Sequence, residues 1–390
     1  MAKQFHLADL FETVAQTVPD RLAIISDSTR LTYAELNDQA DRLATGLAAH
    51  GIVRGDKIGL YLYNGPAYLL GFIAACKLGA VPYNVNYRYR ADELRYLFAN
   101  ADSAAILHGA EFTPIIQDVR GDVPTLKVTV AVPDGSGADI SGSVDYADLL
   151  ASTPAGPWER GEEDIILSYT GGTTGMPKGV MWPHRAFLFA CAGGAGHFNP
   201  AGPVKVPEDI ADRAANGYPL KMFPLAHLVH MAAIWATWSA MLNGLTIVLD
   251  EGRNFDPEKI FDTVEREGAN LIQFVGDAMA TPLRDTLRAN PGRWKLDHVM
   301  NLGSGGAVFS QHLKDDLKAM VPSANITDGM GSSETGVSGM AEKSAEGVMR
   351  IVANENQQVI VDDRIGTIGE TGFIARTGNT PVGYYNDPVK

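Results

Sequence analysis

Apolar positions in the first 110 residues alternate between helical and strand spacing. Thr32 and Glu35 stand three apart, the spacing of a capping box in which each side chain satisfies a free backbone N–H at a helix start. Leu36, Leu43 and Leu47 then share one face at a period near 3.6, and Gly51 stands where a left-handed C-cap would close the helix. Lys57 to Tyr63 reads as a short buried strand, the apolar run from about Pro66 to Leu78 as a buried helix, and Val81 to Asn86 as a turn-rich passage. This β-α-β-α order predicts parallel strands with helices over both sheet faces.

A loop at Pro133 to Asp139 and a Pro/Gly-bearing connector at Ala151 to Gly161 divide this half from a second that repeats the alternation. Strands are expected at Ile165 to Tyr169, Leu245 to Leu249 and Val299 to Leu302, with helices at Asp256 to Glu267 and Gln311 to Met320. From about Gly347 short Val/Ile-rich strands with Gly turns replace that pattern. The expected units are therefore 1–160, 161–346 with the most distinctive loop, and a small β-rich unit beginning at 347–390. No close internal repeat is present.

At 390 residues the chain is long enough for about two or three packed units. Its 45% apolar and 20% charged residues exclude long disorder. The charge, 32 − 46 = −14, disfavours sequence-independent binding to nucleic acid, while leaving room for small anions. Two cysteines, Cys76 and Cys191, make no disulfide framework, and a reducing compartment, the cytoplasm, is the expectation. The longest apolar stretch, Ala67 to Cys76, is half the roughly 20 residues of a membrane span. Asp9 interrupts the amino terminus, so no signal peptide is expected.

Leu167 to Val180 carries the candidate chemistry: a strand entering a loop with four glycines, three threonines and one lysine. Glycines without Cβ let successive backbone N–H groups turn toward one anion. Thr170, Thr173 and Thr174 add hydroxyls, Gly171, Gly172 and Gly175 give the turn, and Lys178 adds a point charge: a polyphosphate site. It is not the P-loop NTPase signature, because Lys178 follows Pro177 and precedes Gly179. A second cluster, Gly303 to Ala307, fails the dinucleotide fingerprint at Val308 and the nucleophile elbow at Leu302. By itself it fits either tight strand–helix packing or close backbone approach to a ligand. In the third, Thr327 to Gly336, Glu334 is either a solvated loop carboxylate or a ligand for Mg²⁺. Three such loops at strand ends favour a ligand, since ligands collect beyond the carboxyl ends of parallel strands.

These residues resemble the adenylate-forming superfamily of acyl-CoA synthetases, aryl-CoA ligases, luciferases and peptide-synthetase adenylation domains, most nearly bacterial fatty-acid-CoA ligases. The resemblance covers essentially the whole chain. It implies a layered αβαβα fold with two mostly parallel sheets and an incomplete small β-unit, corresponding to the large N-terminal domain. Tyr169 to Val180 matches the phosphate motif; Gly305, Gly306 and Ala307 match the stretch lining adenine; Asp328, Gly329, Met330, Gly331, Ser332 and Ser333 fall in the nucleotide motif that leads to the Mg²⁺-binding Glu334. His227 matches a histidine near the acyl carboxylate. Met330 departs from the usual adenine-stacking aromatic residue, and its polarisable sulfur is expected to keep ATP contact. Gly369 to Lys390 resembles the segment before the family's ribose-binding aspartate, hinge and mobile domain, so the chain is expected to stop short of these.

The implied reaction uses ATP and Mg²⁺ to convert an apolar acid, fatty or steroid side-chain, to acyl-AMP, with CoA as acceptor. Transfer to a carrier protein and a non-catalytic nucleotide-binding role are the alternatives, and peripheral membrane contact and oligomeric state stay open. Pro224 and Leu225 offer no carboxylate for an amino-acid substrate. His227 and His230 lack a clustered third metal ligand, and His230 reads as helix packing. Trp235, Trp238 and Met241 fit either a core face or an acyl pocket, and the stretch Phe198 to Gly217 reads as an insertion beside that pocket.

Overall fold

The computed structural model describes residues 3–171, 175–196, 201–343, 349–353 and 356–387. The first helix signals hold. Helix Tyr33–Ala49 starts on Thr32, whose hydroxyl accepts from the Glu35 N–H at 3.2 Å while the Glu35 carboxylate accepts from the Thr32 N–H at 2.8 Å. Gly51 follows with φ +83°. Helix Pro66–Lys77 is buried along nearly its whole length. Lys77 itself is only 1% exposed, and Glu12 and Asp41, each 2.7 Å away, balance its charge.

Val81–Asn84 corrects the turn reading: it is a buried strand. It lies between Lys57–Tyr61 and Ile165–Thr170, and Val81 and Tyr83 fill the core although Pro82 and Asn84 give the segment a turn-like composition. The sheet has seven strands, in the order Val144–Asp145, Val128–Val132, Ser103–Gly109, Lys57–Tyr61, Val81–Asn84, Ile165–Thr170, Lys178–Pro183. All neighbours are parallel except the last pair.

A nine-stranded sheet has at its centre the parallel strands Asn325–Ser332, Asn301–Gly305, Leu271–Phe274, Lys221–Pro224, Thr246–Val248 and Leu22–Ile25. Antiparallel Arg30–Thr32 ends one side, and Gly336–Lys343 with Met349–Ala353 end the other. The division expected at 160/161 therefore does not follow the sheets. Ile165–Thr170 and Lys178–Pro183 complete the first sheet, and Leu22–Ile25 and Arg30–Thr32 belong to the second. Likewise Met349–Ala353 extends the large sheet, and the separate β-unit holds Gln357–Val361, Arg364–Ile365 and Phe373–Arg376.

Three hydrophobic clusters define the layers. The largest joins Ile58 and Leu60 of one sheet to Ile24 and Ile247 of the other through helices Leu7–Thr17, Tyr33–Ala49, Pro66–Lys77 and Met231–Leu242. A second packs helices Pro257–Glu267, Gly276–Ala289 and Gln311–Met320 on the nine-stranded sheet. A third packs Ala91–Asn100 and Thr113–Arg120 on the seven-stranded sheet. The result is helix, sheet, helix, sheet, helix.

Candidate nucleotide and acyl site

The loop that follows Ile165–Thr170 is held at both ends. Thr170 pairs with Lys178 and Tyr169 with Gly179 in the antiparallel edge of the sheet. Asn84 fixes the strand end: its amide donates to the carbonyls of Tyr169 and Val229, and its oxygen accepts from the Tyr169 N–H, all at 2.8 Å. Position 179 must be glycine, because a Cβ there would stand 2.8 Å from the Tyr169 ring. Gly172, Thr173 and Thr174 lie outside the described residues.

The other two loops leave neighbouring parallel strands, with Gly305 opposite Gly329. Gly306 has φ +89° and no atom within 4 Å of a Cβ position, so backbone faces open space there. Asp328 is ion-paired with Lys314 at 2.7 Å, and Ala307 packs against Gly276; neither lines the cavity described below. The turn at Glu334 is built by its neighbours: the Ser332 hydroxyl accepts from the N–H groups of Glu334 and Thr335, and the Trp182 indole donates to the Ser333 carbonyl at 2.8 Å.

These loops open on one cavity of about 1500 Å³. Thr170, Gly171, Gly303 to Gly306 and Gly329 to Ser333 line its polar part. Met222, Trp235, Ala236, Ala240 and Leu245 line its apolar part. Trp235 and Trp238 divide the two roles left open above. Trp235 is half-buried on the cavity wall, whereas Trp238 is fully buried against Phe11 and Phe72. Met241 is core as well.

Lys178, Gly175 and Glu334 stand outside the cavity wall. The first and last meet over Tyr384. The Lys178 ammonium is 5.6 Å from the ring centroid, and the Tyr384 hydroxyl donates to Glu334 Oε1 at 3.2 Å. Lys178 also forms an ion pair with Asp387. Partial burial, together with the Glu334 charge, raises the Tyr384 pKa. The segment Val382 to Tyr385 is placed by backbone bonds to strand Lys178–Pro183: Met181 N–H to Gly383, Val382 N–H to Met181 and Tyr385 N–H to Gly179. Asn84, Trp182, Tyr384 and Asp387 carry no signal of a role in the sequence, although the last two lie in a stretch that the resemblance had singled out.

His230 corrects its packing assignment. It precedes helix Met231–Leu242, is exposed, and lines the cavity. His227 lies against Tyr87, ring centroids 5.1 Å apart, with Nδ1 buried and unpartnered. Burial lowers the pKa of His227, and partial desolvation at the cavity wall together with the Arg88 charge lowers that of His230 although its surface is exposed, so both favour the neutral form at pH 7. Among the described residues no group of three His, Cys, Asp or Glu could hold a metal ion unaided. No described helix is long and apolar enough to cross a membrane.

The family model for AMP-binding enzymes matches residues 11–385. The whole chain is 38% identical to a medium/long-chain-fatty-acid–CoA/3-oxocholest-4-en-26-oate–CoA ligase of Mycobacterium tuberculosis, covering 72% of that protein. Over 99% of the chain and 72% of the relative, it is 36% identical to a 3-oxocholest-4-en-26-oate–CoA ligase of Rhodococcus rhodochrous. The crystal structure of the anthranilate CoA ligase AuaEII with anthranoyl-AMP shares the fold, with TM-score 0.81 and 19% identity over 99% of this chain and 72% of that one. The antiparallel pair joined by the glycine-rich loop, the paired glycine strands and the match from residue 11 to residue 385 agree: the chain belongs to the AMP-binding enzyme family.

Proposed function

We propose that this chain activates an apolar carboxylic acid with ATP to acyl-AMP and then forms the CoA thioester, the activity named for its relatives. The observation that carries this reading is a single cavity in which loops rich in backbone N–H adjoin an apolar wall ending at Leu245. A carboxylate is a poor acyl donor because its leaving group is oxide. A carboxylate oxygen attacks the α-phosphorus and pyrophosphate leaves; the CoA thiolate then attacks the acyl carbon and AMP leaves.

Bringing two anions together calls for positioning and charge neutralisation. Lys178 and the N–H groups of its loop would take the β- and γ-phosphates, and Gly303 to Gly306 with Met330 the adenine. The Glu334 carboxylate, which accepts from the Tyr384 hydroxyl, is a hard oxygen ligand suited to Mg²⁺, which keeps waters and completes its shell with phosphate oxygens. Glu334 would hold that ion, which when bound supplies positive charge to the phosphates. His230, neutral at the cavity wall, offers a hydrogen bond near the acid without adding charge.

The test uses binding. A dodecanoyl sulfamoyl-adenosine, which mimics acyl-AMP, should raise the Tm more than ATP and dodecanoate together, because it spans both parts of the cavity. K178A should weaken ATP binding but spare the mimic, which has no β- or γ-phosphate. Equal ATP titrations for both proteins, or a mimic no better than adenosine, would refute the reading. Thioester formation with CoA, assayed in parallel, distinguishes a CoA ligase from transfer to a carrier protein.

A further inference from the structure

The acyl end of the cavity is measured by one helix. Met231, Trp235, Ser239 and Asn243 recur every four residues along one face of Met231–Leu242 and its C-cap, and all line the cavity. A Cβ on Gly331 would lie 3.2 Å from the Trp235 ring, so Trp235 marks the level of the nucleotide loop. A Cβ on Gly217 would lie 3.4 Å from the Asn243 carbonyl, so Asn243 marks the far end. Eight residues separate these levels, about 12 Å along the axis.

At that far end Arg213, on helix Asp209–Asn216, lines the cavity while only 9% exposed. A guanidinium carries five N–H donors. Its one hydrogen bond among the described residues goes to the Gly202 carbonyl, and no described carboxylate lies within ion-pair distance. Burial lowers its pKa, and Asp209 opposes that. None of its nitrogens is both buried and unpartnered, so the donors not used on Gly202 face the open space of the cavity, where a ligand atom can take the place of water.

Resting on the acyl-pocket reading above, we infer that Arg213 determines specificity: it reads a neutral hydrogen-bond acceptor, such as an oxo oxygen, at the end of the acid remote from its carboxylate. The charges lining this end balance, Arg213 and Lys205 against Asp209 and Asp212, so a second carboxylate on the ligand gains no net attraction to repay its desolvation and a neutral acceptor is favoured. The acid's body is rigid and apolar over about 12 Å, matching the wall from Trp235 to Asn243. An acid ending in a bare alkyl group displaces water from the guanidinium and gives no bond back. Sites built to bond an oxygen reject analogues lacking it.

The test is direct binding, followed by quenching of tryptophan fluorescence, of three acids: 3-oxocholest-4-en-26-oate, its 3-deoxo analogue and a steroid with a carboxylate at position 3. Wild type should bind the oxo acid about ten- to a hundred-fold more tightly than the deoxo acid, the range for one bond to a charged donor. R213M, which keeps the apolar stem, should bring that ratio to within twofold of one, and R213K should fall between. The dicarboxylate should bind least well. A ratio near one in wild type, or an unchanged ratio in R213M, overturns the inference, and the first result decides even if R213M does not fold. Should all three steroids and hexadecanoate fail to bind wild type, the acyl-pocket reading itself falls, and this inference with it.

Discussion

Removing the charge of Asp387 should strengthen ATP binding. The Lys178 ammonium and the Asp387 carboxylate are paired in the structure, with side-chain exposures of 37% and 26%. A nucleotide phosphate that takes Lys178 must break that pair. Pairs this accessible to water are worth about 0.2–1 kcal/mol, which corresponds to about 1.4- to fivefold in affinity. D387N keeps the size of the side chain and most of its hydrogen bonding, so the Kd for ATP with Mg²⁺ should fall by that factor in isothermal titration. The gain should shrink as salt rises, because the repulsion relieved is electrostatic. K178A should weaken ATP binding, and adding D387N to K178A should then do little, since the pair being broken is already gone; the cycle isolates the coupling. Weaker ATP binding in D387N would show that Asp387 helps to hold the nucleotide, and that the pairing with Lys178 is no competitor.

W235A and W238A should separate the cavity wall from the core. W238A removes a fully buried ring that touches Phe11 and Phe72, and should cost about 3–5 kcal/mol in denaturant unfolding. W235A should cost less and change which acids bind; equal loss of stability in both would place Trp235 in the core. For pH, burial depresses the His184 pKa to about 3 and lowers that of His6, whose ring stacks on it at 3.9 Å. Their unfolded values lie near 6.5, so their contribution is complete above that pH and is lost as pH falls below it, for His184 down to about 3. The slope approaches about 1.4 kcal/mol per pH unit for each ring. H184Q should flatten the decline in Tm between pH 7 and pH 5, and an unchanged pH profile would rule out this proton coupling.

Local signals were legible where a single segment determines the outcome. Thr32 and Glu35 cap the helix they announce, and Gln311–Met320 spans the residues its pattern marks. What failed depended on distant partners. Val81–Asn84 becomes a strand because its neighbours are Lys57–Tyr61 and Ile165–Thr170, about which Pro82 and Asn84 say nothing. The division at 160/161 differs from the division of strands between the sheets, because a chain break in the pattern does not tell which sheet a strand will join. At the site, the glycine and lysine spacing marks the loop whose ends the structure pairs, Thr170 with Lys178. The rest of the cavity could not be read, because its wall combines Arg213, Trp235 and Leu271, which only the fold brings together.

The segment that reaches over Lys178 has a second consequence, for solubility. One edge of the seven-stranded sheet is Val144–Asp145, two residues long and too short to template another strand. The other, Lys178–Pro183, is six residues long and includes Val180, Met181 and Trp182. Bare, it would be an invitation to edge-to-edge pairing between molecules. Val382 to Tyr385 occupies its free backbone groups, with Tyr384 opposite Val180. Displacing Val382 to Tyr385 from that strand would therefore uncover an adhesive edge as well as Lys178, and protein so altered should precipitate through that edge while its two large sheets are still folded.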